Sequence, residues 1–113
     1  MAKAHAAGLM RVQDRLRQLA GSEQIRITQH AQQEMVEEDI RLDEVLEVIV
    51  RGQILERYPE HRRGACCLLG GTTKAQRPLH VVCTTALPML IVITAYQPKP
   101  PKWISPTERR RGL

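Results

Sequence analysis

Phenylalanine is absent from this 113-residue chain, and the aromatic share of 3% comes down to Tyr58, Tyr96 and Trp103. A sheet that reads RNA by stacking successive bases on several rings has almost nothing to be built from. The core must therefore be Leu, Ile, Val, Met and Ala, drawn from a composition that is 42% hydrophobic. Cysteine is scarce too: there are three, an odd number, with Cys66 and Cys67 adjacent, which excludes a disulfide framework. No Cys-x-x-Cys or His-Glu-x-x-His pattern occurs. Cys66 and Cys67, like His80 and Cys83, stand an odd number of residues apart, so within a strand they project to opposite faces. No metal and no cofactor are expected. Gly70-Gly71-Thr72-Thr73-Lys74 lacks the spacing of a phosphate-binding P-loop and precedes a strand, so it reads as a hairpin loop. No run approaches the ~20 apolar residues that span a bilayer. The first twenty residues lack the apolar core of a secretory signal, and Asp14 with no serine argues against a mitochondrial presequence. These absences lead us to expect a reduced, cytoplasmic protein with no membrane partner.

What is present is charge. The formal net charge is +5, and residues 97–113 hold five Lys/Arg against one Glu, leaving the body nearly neutral but polarised. Five bases (Arg57, Arg62, Arg63, Lys74, Arg77) and one acid lie between Arg57 and Arg77, whereas seven acids and only Arg41 lie between Glu34 and Glu47. The first region suits an anionic partner such as RNA; ordinary solvated faces are the plainer reading.

At this length one domain is expected. Leu9, Val12, Leu16 and Leu19 recur at helical spacing among Arg11, Arg15 and Arg17, predicting a first amphipathic helix ended by Gly21. Thr28 is a good N-cap for a second helix reaching about Glu38. Asp43 opens a third, with Leu42, Val45, Leu46, Ile49 and Val50 as its stripe and Gly52 at its end. Strands are expected over Ile54–Tyr58, Ala65–Leu69, Leu79–Thr84 and Met89–Tyr96, with a polar loop from Gly70 to Arg77. The tail PKPPKWISP holds four prolines in nine residues, which predicts extended polyproline-like chain, followed by a mobile Arg109-Arg110-Arg111. The pattern is α+β: N-terminal helices packed on one face of a four-stranded antiparallel sheet.

Strand periodicity sorts the polar residues. Leu79, Val81 and Cys83 with Ile91, Ile93 and Ala95 form the expected helix-covered face. His80, Thr84, Thr94 and Tyr96 then share the second face, open to water or a ligand. A histidine near an arginine and a tyrosine suits metal-independent RNA cleavage: the imidazole moves protons, the guanidinium grips phosphate, and the phenol orients or donates. A histidine hydrogen-bonded to its neighbours, with Tyr96 closing the core edge, is the structural alternative. His30 and Glu34 stand four apart on one helical face, either as a surface pair or as an acid–base pair if that helix crosses the sheet end. His61, in the loop before Arg62 and Arg63, is a solvated residue or a phosphate contact.

The ordered motifs Thr28-Gln29-His30-Ala31 with Met35 and Ile40, Gly52 with Ile54, Gly70, Arg77-Pro78-Leu79-His80-Val81-Val82, and Ile93-Thr94-Ala95-Tyr96 before Pro98 and Trp103 are similar to the bacterial domain-of-unknown-function family 4258. That family resembles the RelE-like toxins, including the BrnT and MqsR types. The resemblance covers roughly Ile27 to Trp103 and implies a RelE-like α+β domain over 27–103, which leaves the N-terminal helix and linker over 1–26 and a basic flexible tail over 104–113. It also implies a metal-independent endoribonuclease toxin, acting on free or ribosome-associated RNA and neutralised by a cognate antitoxin protein. Carried over by motif, His30, Arg77, His80 and Tyr96 are the catalytic candidates. The basic loops add Arg57, His61, Arg62, Arg63 and Lys74 as RNA contacts. Glu34 and Glu37-Glu38 stand where the family's helical motif carries arginine, which keeps open a non-catalytic RNA- or protein-binding module of the same fold, or a structural protein. The RNA target and the oligomeric state do not follow from sequence.

Overall fold

In chain order the elements are α1 (Ala2–Gly21), β1 (Ile25–Ile27), α2 (Gln29–Glu37), α3 (Leu42–Arg51), β2 (Gln53–Tyr58), β3 (Cys66–Thr72), β4 (Pro78–Thr84), β5 (Leu90–Tyr96), β6 (Trp103–Ser105) and β7 (Glu108–Arg109). The structure, a computed structural model, describes residues 2–21, 24–86 and 88–110, with side chains in α1 from Val12 onward. Leu9, Arg11 and Arg111 of the sequence reading therefore lie outside the described side chains.

The three helices arise where the periodicity placed them. Thr28 caps α2, its Oγ1 accepting from the Ala31 N–H at 3.1 Å and donating to the Ile93 carbonyl at 3.0 Å. The Arg41 N–H at the start of α3 donates to Glu44 at 3.1 Å, the backward half of a capping box. Leu16 and Ala20 of α1 join Ala31, Met35, Val45, Val48 and Ile49 in one core cluster against Leu69, Leu79, Val81, Cys83, Leu90, Val92 and Ala95 of the sheet. Each fully buried aliphatic side chain there stabilises the fold by roughly 1.5–3 kcal/mol. No described helix is long and apolar enough to cross a membrane.

The α+β class holds, but the sheet has five strands, in the order β1-β5-β4-β3-β2. Strands β2 to β5 form the expected antiparallel series. The addition is β1, which pairs parallel to β5 with Ile25 opposite Leu90 and Ile27 opposite Val92, so the sheet is mixed. Three residues between a helix and an N-cap are too few for alternation to register in sequence.

Two further expectations are corrected. Gly70 and Gly71 lie inside β3, not in a loop. A bulge between Val82 and Cys83 leaves Ile93 as the extra residue of β5, and its parity reverses there. Leu90 and Val92 consequently join Ala95 in the helix-side core, while Ile91 and Ile93 are only partly buried.

The C-terminal segment also differs from its reading as irregular, flexible chain. Residues 103–109 form an antiparallel β6–β7 pair, Trp103 opposite Arg109 and Ser105 opposite Glu108. Trp103 is only 3% exposed. The prolines before it end the main sheet and turn the chain back over the face away from the helices.

Candidate functional site

On that second face the strands present rows of side chains. Gly70, His80 and Tyr96 stand in register across β3, β4 and β5, and Leu68, Val82 and Thr94 form the next row, with Glu56 of β2 opposite Leu68. Gly70 leaves room beside the imidazole: a Cβ there would lie 2.6 Å from Leu55 Cδ1 and 3.4 Å from His80 Cδ2. His80 and Tyr96 are thus brought together as expected, but the face is not open at His80. The imidazole is 0% exposed beneath the hairpin.

Both ring nitrogens of His80 are engaged. Nε2 lies 2.5 Å from the Pro106 carbonyl, which can only accept, so Nε2 carries the proton and Nδ1 accepts from the Tyr96 hydroxyl at 3.1 Å. The Trp103 ring meets the imidazole edge-on at 4.3 Å, and the Tyr96 ring does so at 5.3 Å. The buried Trp103 indole N–H has no hydrogen-bond partner among the described residues. Arg109 lies 4.7 Å over the Trp103 ring and grips Glu56 through two hydrogen bonds of 2.8 and 2.9 Å. Tyr58 donates to the same carboxylate at 2.5 Å.

The electrostatics follow from this packing. Burial holds His80 below the usual histidine range, against the pull of the Pro106 carbonyl. The Arg109 hydrogen bonds hold Glu56 below the usual carboxylate range. Burial raises both tyrosines, Tyr58 further through its bond to Glu56. A neutral imidazole, two neutral phenols and a closed carboxylate–guanidinium pair result.

Beside this cluster opens a cleft of about 610 Å³. Tyr58, Tyr96, Trp103 and Arg109 line one side, and His30, Glu34 and Glu38 of the α2 segment line another. Lys99 and Lys102 border it from the chain leading into the hairpin. All three aromatic residues of the protein therefore border a single cleft. His30 Nε2 lies 3.3 Å from Glu34 Oε1, and the same oxygen accepts from the Ala95 N–H at 3.1 Å and from the Thr94 hydroxyl. Of the cations, Arg109 is closed on Glu56 and Lys99 lies 3.9 Å from Glu38, whereas Lys102 has no ion-pair partner among the described residues.

Arg77 is elsewhere. Its guanidinium donates to the carbonyls of Glu38 and Asp39 at the end of α2 and pairs with Glu44 at 3.4 Å, tying the helix layer together. Its Nε also donates to Gln97 at 3.4 Å. It borders a neighbouring hollow with Asp39, Arg41 and Gln76, which shares Gln97 with the cleft, and its hydrogen bonds go to the α2 end, Glu44 and Gln97, not to His80. The basic loops are divided too. Arg57, His61, Arg62 and Arg63 belong to the β2–β3 end of the sheet and Lys74 to the β3–β4 end, because successive connections of an antiparallel series lie at opposite ends. His61 Nδ1 accepts the Arg63 N–H at 3.1 Å within its own turn, and the Lys74 N–H donates to Glu47 at 3.3 Å.

Of the four catalytic candidates, His30 and Tyr96 border the cleft, His80 lies beneath it, and Arg77 stands just outside it, bonded to Glu38 and Gln97 of its lining. Nothing in the sequence marked Glu56, Lys99, Lys102 and Arg109 as members of the site, and it offered Tyr58 and Trp103 only as rings available for stacking. The signal available for the three rings was their rarity. Among the described residues, no cluster of three or more His, Cys, Asp or Glu is placed to hold a metal ion. A family model described as a domain of unknown function matches residues 27–97. No curated protein and no solved structure matches the chain.

Proposed function

The chain belongs to the domain-of-unknown-function family DUF4258, and on that premise we propose that its cleft binds single-stranded RNA and cleaves it without metal, as a RelE-like toxin of a toxin–antitoxin pair. One observation carries the reading: a protein with three aromatic residues spends all three on one cleft that also holds a carboxylate-backed histidine and three cations. The partly exposed Tyr58 and Tyr96 offer ring surface on which bases stack, beside cations that hold the backbone, the general means of binding single strands, while the buried Trp103 packs beneath Arg109.

Cleavage by 2′-hydroxyl attack needs that proton removed, negative charge on phosphorus balanced, and the departing 5′-oxygen protonated. His30 is two-thirds exposed, and its pairing with Glu34 leaves Nδ1 to take the 2′-proton. The new 2′-oxygen–phosphorus bond forms as the phosphorus–5′-oxygen bond breaks, and Lys102 supplies the proton to the leaving oxygen. Lys99 and Arg109 border the same charge. The products are a 2′,3′-cyclic phosphate and a 5′-hydroxyl. His80 does not touch RNA in this scheme; it positions Tyr96 and the hairpin.

The engagement of Arg77 and His80 in structural bonds favours one second reading, a non-catalytic RNA- or protein-binding module. Induction of the chain without an antitoxin separates the two. Growth arrest that is lost in His30→Ala and kept in Arg77→Lys supports the toxin. RNA binding without arrest, unchanged by His30→Ala, supports the module.

A further inference from the structure

We propose that the β6–β7 hairpin is an acid-released lid over the cleft, with His80 as its latch. What release does to RNA rests on the reading above; whether release occurs rests on the hairpin alone. Strands β6 and β7 pair with each other and form a sheet separate from the main one. A lone two-stranded hairpin is marginal in water. This one is held down by side chains: the His80–Pro106 hydrogen bond, the Trp103 ring against the imidazole, and the Arg109–Glu56 pair.

The latch works through a proton. In the docked state Nε2–H serves Pro106 and the Nδ1 lone pair serves the Tyr96 hydroxyl. A second proton must sit on Nδ1, which turns the Tyr96 hydroxyl from donor to acceptor and leaves a cation out of reach of water beside Arg109. With the lid raised, the imidazolium is hydrated. The docked imidazole therefore binds protons less readily than the released one, whose ordinary value is 6.5. Docking is at full strength above that value and weakens as pH falls through and below it.

The other groups facing the imidazole keep their charge in this window. Glu56 of β2 is held as a carboxylate by Arg109 of β7, and Tyr58 of β2 and Tyr96 of β5 stay protonated. From β3 the neighbour is Gly70, which has no side chain. Release would carry Lys102, Trp103 and Arg109 out of the cleft and uncover His80.

The protein's single tryptophan, Trp103, sits in the lid, so its emission reports the transition with no RNA present. The full chain is titrated from about pH 7.5 to about pH 5, a range spanning the histidine value, while far-UV circular dichroism follows the body. The expected result is a reversible red shift with its midpoint below 6.5 and an unchanged dichroism spectrum. His80→Gln removes the shift, and His30→Gln, which deletes the cleft's other imidazole, retains it. Flat emission, a shift that appears only with loss of dichroism, or a shift retained in His80→Gln overturns the lid. Should the Gln variant not fold, the His80 ring resonance of the unaltered protein must titrate with the Trp103 midpoint, and separate midpoints overturn it equally. A lid that opens in a protein that leaves RNA intact removes the ribonuclease reading alone; a ribonuclease with flat emission removes the lid alone.

Discussion

At Arg77 a residue type that grips phosphate is occupied with the protein's own carbonyls. Its guanidinium closes the end of α2 and pairs with the buried Glu44, so truncation leaves that carboxylate without its cation, held by the Arg41 N–H, and removes the donor to two carbonyls. Arg77→Ala is expected to lower unfolding stability by roughly 3 kcal/mol in a denaturant titration, as when one partner of a largely buried pair is removed. Activity per folded molecule should be unchanged. A loss of activity with intact stability would return Arg77 to the site. The pairing of His80 with Tyr96 was legible from alternation along β4 and β5, because the bulge falls between core positions and leaves Thr94 and Tyr96 on the face they share with His80. The burial of His80 was not, since the covering residues lie more than twenty positions later and join it through one backbone carbonyl and one ring edge.

Elements show the same division between local and distant information. Helix α2 was legible because its cap, Thr28, lies in the same stretch as its apolar positions. Strand β1 was not, because it exists only through pairing with a strand 65 positions away in sequence, Ile25 with Leu90. Thr28 joins the two: one hydroxyl caps α2 and holds the carbonyl of the bulged Ile93. Thr28→Val keeps the shape and removes both bonds. Its expected cost is about 1–2 kcal/mol, in the range of N-cap losses, measured by thermal or denaturant unfolding. A neutral effect would mean that the bulge, and with it the side-chain parity of β5, is fixed elsewhere. The hairpin was hidden by its prolines, which do exclude regular structure over residues 98–101 but not over the pair that follows.

Across the whole molecule, the net charge pointed to an anionic partner, yet the cations that meet at the cleft are not the ones clustered in sequence. The loops at the two ends of the sheet dilute the Arg57–Arg77 group, while Lys99, Lys102 and Arg109 converge with the three rings on one cleft. Affinity for single-stranded RNA should accordingly fall with salt, and Lys102→Ala should reduce the slope of log K against log salt by about 0.7, one phosphate contact. Lys74→Ala should leave the slope unaltered.

The most direct test is incubation of the purified protein with single-stranded RNA in the presence of a chelator, followed by analysis of the ends produced. The expected ends are 2′,3′-cyclic phosphate and 5′-hydroxyl, made at a rate that His30→Ala lowers by about 100-fold or more, the usual worth of a positioned proton-transfer group. Cleavage at the same rate in His30→Ala, or RNA left both uncut and unbound by the unaltered protein, would contradict this expectation.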